Sequence, residues 1–374
     1  MDHQPTDSSP AFEPIDDIPL GHVRLVLERN SSFYLDIPLD VMRNLCLKPR
    51  KYLVYLGWCI LGTEGKLTGR DGSELMELEG GLDDKGLYYY VTGTLEKTDL
   101  SQAIDLEVIK QSTVHSGTTD SHKTFADTLL QRDNCCVFTG LDKSLRLGMH
   151  IIPYARGSEW LRLIIANRPK YGEEVEDLVD IEDIRNGISE NPNIRMAFDL
   201  RHLVILKTPN HVLTNMDVPQ RAERRSAMPE DVAYPDNERY TLQWLVIPGV
   251  AELRYFADHN MDAAFKKETE EPKPSELLLH YNYGAAAVRH WGHGMGVLQE
   301  RPNLPRPTGP VRTRKERSAA IRKRDRTQGE WDADDIVLFF WANTPAARER
   351  RRKEQEERTQ YMEAWRQGVE PTAD

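Results

Sequence analysis

The sequence predicts an α+β protein, and three observations lead to this class. Residues 22–114 carry short β-branched and aromatic runs separated by Gly, Asn or Asp turns, which is typical of strands. Residues 131–208 alternate apolar runs with turns and one short helix. Further downstream, the residues 276–290 have a helical pattern. The expected order is therefore a β-rich domain followed by a mixed domain with added helices.

Four segments follow from changes in composition along the chain. Residues 1–19 are acidic and proline-rich, and we expect them to be disordered. We predict a β-rich domain over residues 20–115 and a second domain over residues 122–295, whose core is 132–208. Residues 296–374 are predicted to form a linker and a charged helical tail.

The β-rich domain is predicted to have about five strands, and its apolar runs are HVRLVLER, SFYLDIPL, KYLVYLGWCILG, GLYYYVTGTL and IDLEVIK. Gly-rich turns separate them, but no phosphate-binding glycine loop follows any run. This domain offers no catalytic group of its own. Its expected role is to act as a scaffold or to dock a protein partner.

The centre of the second domain is predicted from turn and cap residues. The apolar run at 135–138 ends in a Thr-Gly turn, and a second run carries His150 shortly before a proline. Asn186 begins a sharp Asn-Gly turn. Asn191 and Pro192 are typical of an N-cap residue followed by proline at the first helical position. They predict a short helix from Asn193 to Asp199. That helix should bury Ile194 and Phe198, and a strand should follow at 202–206.

The rest of the chain is predicted more coarsely. Residues 216–238 should be loop, 240–250 strand and 251–270 mostly helix. Residues 311–328 hold eight Lys/Arg and two acids, a net +6. This segment is interpreted either as a solvated tail or as a nuclear-import signal or nucleic-acid arm. A short apolar docking peptide at 332–341 and a charged helix at 346–366 complete the predictions.

Composition limits the classes of protein. The 374 residues carry a net charge of −11, which argues against a uniformly basic surface. Residues 131–170 nevertheless hold seven Lys/Arg against three acids, a local +4, and seven acids follow within 173–183. No run of eighteen apolar residues exists, so no membrane partner is expected. The four cysteines form no disulfide pattern, which favours an intracellular location, in the nucleus or the cytoplasm.

The blocks HIIP, RNG and AFD, in this order and spacing, resemble the HNH nuclease domain with its ββα-metal fold, in its fungal version. Phrases such as RHLVILKTPN and HYNYGAAAVRHWGHG extend the resemblance over roughly residues 133–294. In that family the first motif His is the general base for phosphodiester hydrolysis, and here it matches His150. Asn186 matches the Asn that shapes the loop behind this base. The third motif residue, a metal-binding His, matches Arg195.

Arg195 cannot act as a metal ligand, because a guanidinium has no lone pair to offer a cation. Met149 also stands where many such sites place a further ligand. A divalent ion such as Mg²⁺, if used, would need replacement ligands, for which the candidates are Glu190, Asn191, Asp199 and His202. Arg195 itself is predicted to pair with Asp199 four residues later, with phosphate binding as the alternative.

Two other pairs of residues could bind a metal, but we interpret both as structural. Cys135 and Cys136 are adjacent, so burial explains them better than a shared zinc site. His290 and His293 have the spacing of a ligand pair, although a cap beside a helix is the preferred interpretation.

Three functions are consistent with these features. The first is an HNH-type endonuclease with metal-assisted hydrolysis of nucleic acid, DNA in preference to RNA. The second is a catalytically degraded HNH module that binds nucleic acid or protein, the latter through the β-rich domain or the tail. The third is a protein in which the HNH core survives only as a packing unit.

Overall fold

The computed structural model describes residues 17–28, 33–93, 100–107, 120–141, 147–168, 175, 177–246, 257–299 and 352. The chain forms two compact units, residues 1–311 and 312–374, and the first is described below. It contains both helices and strands, so the α+β class is confirmed. Among the described residues, no helix is long and apolar enough to cross a membrane.

A five-stranded sheet forms one side of the unit. Its strands are β1 (His22–Glu28), β2 (Phe33–Pro38), β3 (Lys66–Thr68), β4 (Leu87–Val91) and β12 (Gly292–His293), in the order β12-β2-β1-β4-β3. The β1–β4 pair is parallel, whereas β1–β2, β2–β12 and β3–β4 are antiparallel. Strand β2 alternates buried and half-buried residues, as a strand with one face on a core requires.

Two helices follow β2, and they correct one strand prediction. The helices are α1 (Leu39–Leu45) and α2 (Pro49–Leu61). The run KYLVYLGWCILG, predicted as a strand, forms most of α2. Proline at the first helical position and Gly62 at a left-handed C-cap define its ends. All ten residues from Tyr52 to Leu61 are buried, so the run shows no amphipathic period, and periodicity alone cannot separate a buried helix from a buried strand.

Helix α6 (Glu276–Trp291), predicted at 276–290, is confirmed and packs against α2. The two backbones approach so closely that a Cβ on Gly284 would lie 2.6 Å from the carbonyl oxygen of Cys59. The hydroxyls of Tyr52 and Tyr283 are hydrogen-bonded at 2.9 Å. Because β12 follows α6 and pairs with β2, residues from both predicted domains share one sheet and one core.

A second sheet has the order β10-β9-β7, with β7 (Leu203–Thr208), β9 (Arg239–Trp244) and β10 (Met261–Asp262). Strands β8 (Val232–Ala233) and β11 (Phe265–Lys266) form a separate pair. The strands predicted at 202–206 and 240–250 are confirmed in their described cores.

The mostly helical prediction for 251–270 is wrong in its described part, 257–270. Residues 261–262 pair with β9, and Asn260 has a φ of 62°, which does not fit a helix. Asp262 is buried and holds Arg239 and Arg221 by ion pairs. These long-range contacts override the helical propensity of the local residues.

Several predictions lie partly or wholly outside the described residues. These are the disordered N-terminus up to residue 16, residues 251–256, the basic segment at 311–328, the apolar peptide at 332–341 and most of the charged helix at 346–366. The described part of IDLEVIK, 104–107, forms no strand.

Candidate functional site

The candidate site is built on two short antiparallel strands followed by a helix. Strand β5 (Leu147–His150) pairs with β6 (Gly187–Glu190), so that His150 stands opposite Gly187 and Leu147 opposite Glu190. Helix α5 (Pro192–Asp199) follows β6 directly and packs against β5 and β7. Helix α4 (Gly157–Ala166), which the sequence analysis did not predict, lies between the two strands in the chain.

Helix α3 (Asp120–Asp133) is fixed to this pair by a buried ion pair. The Arg132 guanidinium donates to both carboxylate oxygens of Asp133, at 2.6 and 2.9 Å, and to the carbonyl of Gly187. Asp133 also accepts a hydrogen bond from the backbone N–H of Ser189 at 2.8 Å. Both charged side chains are fully buried, and a buried charge of this kind needs such complete pairing. The ion pair therefore positions β6 relative to α3.

Two glycines allow α3 to lie directly on the strands. A Cβ on Gly187 would come within 2.5 Å of the Phe125 ring, and one on Gly148 within 3.1 Å of Leu129. The lack of side chains at these two positions therefore makes room for the apolar side of α3.

His150 ends β5 and is stacked on an aromatic ring. The imidazole and the Phe125 ring are nearly parallel, at 11°, with centroids 4.0 Å apart. Tyr154 lies 5.7 Å away on the following turn. This stacking limits the plane in which the imidazole can lie. No local pattern in the sequence reveals this stacking, because the contact between Phe125 and His150 depends on the tertiary approach of two separate elements.

Asn186 is fully buried and braces the loop that follows His150. Its side-chain oxygen accepts from the N–H of Ile152 at 2.8 Å. Its amide donates to the carbonyls of Ile152 and Ile181, at 3.1 and 2.8 Å. The backbone carbonyl of Asn186 accepts from Ile151. One side chain thus joins the segment after β5 to the segment before β6.

The cap predicted for the short helix is present. The side-chain oxygen of Asn191 accepts from the N–H groups of Asn193 and Ile194, each at 3.0 Å, and Ile194 and Phe198 are buried as expected. Because this oxygen is used in capping, Asn191 is a poor candidate for a metal ligand. On the same helix, Arg195 Nε lies 4.0 Å from Asp199 Oδ2, in agreement with the predicted pairing.

Glu190, at the end of β6, has an unusual environment. It is fully buried, and neither carboxyl oxygen has a hydrogen-bond partner among the described residues. Burial raises its pKa well above the ordinary value, and repulsion from Asp199 adds to this, whereas Arg195 opposes it. Asp199 and Arg195, both on α5, are therefore the charged residues that act most strongly on the Glu190 carboxyl.

His202 lies beside His290. Its ring is 5.5 Å from that of His290, and burial lowers its pKa, with a further contribution from Arg289. The Nε2 of His290 donates to the carbonyl oxygen of Arg201 at 2.8 Å, and burial lowers the pKa of His290 to about 4. His293 instead stacks on Tyr34 of β2, so His290 and His293 do not face one site.

A group of arginines near α5 was not predicted as a cluster. Arg201 is almost fully buried, and burial lowers its pKa to about 10. The charges of Arg289 and Arg156 lower this pKa further, whereas the carboxylate of Asp199 raises it. Arg156 is buried with its guanidinium 5.2 Å from the Trp160 ring. These residues are far apart in the sequence, so only the fold brings their charges together.

The metal site that the resemblance implies does not fit these residues. Arg195 occupies the ligand position of the helix, and Met149 is buried. Within the described residues, no group of three or more His, Cys, Asp or Glu is arranged to hold a metal ion. Cys135 and Cys136 are buried, as expected.

Comparison of the chain with protein-family models, with curated proteins and with solved structures finds no match.

Proposed function

We propose that this chain is a catalytically degraded HNH module that binds nucleic acid, DNA in preference to RNA. The observation that carries the proposal is the bracing of the loop after His150 by Asn186, within two antiparallel strands followed by a helix. This is the arrangement that the HNH resemblance implies around its base. The ligand positions of the same resemblance hold Arg195 and Met149, which do not bind a hard cation.

Positive charge beside the site supports phosphate binding. Arg156, Arg195, Arg201 and Arg289 come from three separate parts of the chain. Arg156 and Arg201 are buried and contribute only to the local field, whereas Arg289 is exposed on α6 and can contact a phosphate directly. Phosphate contacts by Arg give nucleic-acid binding that is independent of sequence and weakens with salt. The overall charge of −11 does not prevent this, because binding responds to the local field.

A binding measurement tests the proposal. Fluorescence anisotropy with a labelled 20-base-pair duplex should show binding by the full chain, with log K falling linearly as log salt rises. Arg289→Ala should weaken binding about threefold to tenfold, as expected for the loss of one phosphate contact. Arg43→Ala, which removes another exposed arginine, on α1, is the matched control and should change little. Absence of salt-dependent binding would refute the proposal.

Hydrolysis is the second candidate, and the stacking of His150 on Phe125 favours it. The imidazole is half-buried and its plane is limited by this stacking, but its Nε2 is buried, so the reaction would require water to enter beside that nitrogen before it could accept a proton. Nicking of supercoiled plasmid with Mg²⁺, Mn²⁺ or Ni²⁺, abolished in His150→Ala, would support this function over binding alone. If the native chain is inactive, nicking by Arg195→His would show that the loss of this one ligand accounts for the inactivity.

A further inference from the structure

The loop before β8, residues 219–231, carries arginines directly before an exposed serine. Its sequence is PQRAERRSAMPED, and residues 219–229 form neither helix nor strand. Ser226 is exposed, and its hydroxyl donates to the backbone carbonyl of Thr139. This bond joins the loop to the Thr-Gly turn that ends the apolar run at 135–138.

Two of the three arginines in this loop have acidic partners, whereas the third has none among the described residues. Arg221 Nε lies 3.0 Å from Asp262 Oδ2, and Arg225 Nη2 lies 2.6 Å from Asp258 Oδ1. The Nη2 of Arg224 donates to two backbone carbonyls. Its Nε and Nη1 are buried and have no hydrogen-bond partner within the described part of the chain. Buried donors rarely lack an acceptor, so the Arg224 guanidinium points to one that the unmodified chain does not supply.

Arg224 and Ser226 meet beside Gly140, where there is no side chain. The point at which a Cβ on Gly140 would stand lies 3.4 Å from Ser226 Oγ and 3.6 Å from Arg224 Nη1. Both are ordinary van der Waals distances, so the described residues leave room for an atom at this point. A phosphate on Ser226 Oγ would place its oxygens beside Arg224 Nη1, and phosphate oxygens are strong acceptors for a guanidinium.

We propose that Ser226 is a phosphorylation site and that Arg224 binds the resulting phosphate. The modifying enzyme is a protein kinase whose acidic substrate groove is complementary to arginines before the target serine. In that kinase the Ser226 oxygen attacks the γ-phosphorus of ATP. The new O–P bond forms as the bond to ADP breaks, and the hydroxyl proton passes to the base of the kinase. Ser226 must leave the Thr139 carbonyl for this step, which a loop without helix or strand permits at low cost.

Local charge favours a phosphate at this position. Residues 221–225 hold three arginines and one acid, Glu223, a net +2. Asp258 and Asp262, which contact the loop, are each paired with one of its arginines. A phosphoserine adds a charge of about −1.5 to −2. It therefore neutralises the loop and supplies an acceptor for Arg224.

Kinase treatment of the full chain tests the modification. The chain is incubated with ATP and an arginine-directed serine kinase, whose activity is verified on an arginine-containing peptide, and phosphopeptides are mapped by mass spectrometry. Ser73 is the matched control, because it is exposed and follows Arg70, but its hydroxyl donates to the Asp71 carboxylate at 2.6 Å. Ser226 should be phosphorylated at least about tenfold faster than Ser73, since an adjacent carboxylate repels a phosphate. An unmodified Ser226, or equal rates at the two serines, would overturn the proposal.

Phosphoserine encoded at position 226 tests the role of Arg224 without a kinase. Relative to the unmodified chain, it should raise the Tm by roughly 2–4 °C, because a buried guanidinium gains a charge-assisted hydrogen bond. The rise should be lost in Arg224→Gln and kept in Arg225→Gln, the matched control, which removes a neighbouring arginine already paired with Asp258. An unchanged or lower Tm, or an equal rise in the two variants, would show that Arg224 does not hold the phosphate. Both tests omit nucleic acid, so their results are independent of the proposed nucleic-acid binding.

Discussion

Asn186 is the side chain on which the geometry of the site depends most directly. Its three side-chain hydrogen bonds satisfy two carbonyls and one N–H that are otherwise buried. Asn186→Ala leaves these groups unsatisfied, and we expect a loss of about 2–4 kcal/mol in the free energy of unfolding. Urea denaturation measures this loss. Asn44→Ala on the exposed side of α1 is the control and should cost less than about 1 kcal/mol.

His290 makes stability depend on pH in one direction. Burial lowers its pKa from 6.5 to about 4, and His202 and Arg289 contribute to the shift. The unfolded chain therefore binds the proton more readily, so stability is present above pH 6.5 and is lost as the pH falls towards 4. Buried His280, whose pKa is lowered well below its ordinary value, acts in the same direction.

In the native chain, the urea midpoint should therefore decrease as the pH is lowered from 7 to 6 and then to 5. The change of the midpoint with pH should be smaller in His290→Gln. The glutamine amide can still donate towards the carbonyl of Arg201, so the comparison isolates the titration. Equal slopes in the two proteins would show that His290 does not titrate in this window.

At this scale the sequence predicted residues whose roles are local. The Asn191 cap and the Arg195–Asp199 pairing both follow from spacing within one helix. The stacking of Phe125 on His150 and the unsatisfied carboxyl of Glu190 could not be predicted, because each depends on elements that meet only in the folded chain.

At the scale of the elements, the packing of α3 on β6 depends on the absence of a side chain at Gly187. A Cβ there would lie 2.5 Å from Phe125 and 2.9 Å from Leu129, which are on the packed face of α3. Gly187→Ala should therefore destabilise the protein by about 1–3 kcal/mol, as overpacking of a core does.

The same change should alter the environment of His150, since Phe125 must move. The chemical shifts of the His150 ring, followed by NMR, should change in Gly187→Ala. Gly296→Ala is the matched control, because its Cβ would meet no atom within 4 Å and its φ is not positive. If both alanine variants have the same stability, the close approach of α3 does not limit packing.

The errors in predicting elements have one physical origin. Helix α2 is buried on all sides, so its sequence lacks the polar face that identifies a helix. Residues 261–266 have helix-compatible composition, but pairing with β9 and β8 and the ion pairs of Asp262 decide their conformation. Helix α6 was predicted because its proline break and length are strong local signals.

At the scale of the whole unit, the sheet and the helix pair join distant parts of the chain. The ten consecutive buried residues of α2 require α6, which comes more than two hundred residues later. The edge of the first sheet requires β12 to pair with β2. A fragment of residues 1–119 would expose these surfaces. Its apolar helix would then have no partner to bury it.

We therefore expect residues 1–119 alone to show no cooperative urea unfolding and to aggregate when purified. Co-expression with residues 120–311 should restore a soluble complex, because α6 and β12 supply the missing contacts. Residues 1–311 in one chain are the control and should unfold in a single transition. A fragment 1–119 with its own sigmoidal transition would contradict this expectation. That result would mean that the four strands from β1 to β4 form a stable core with α2 in the absence of α6.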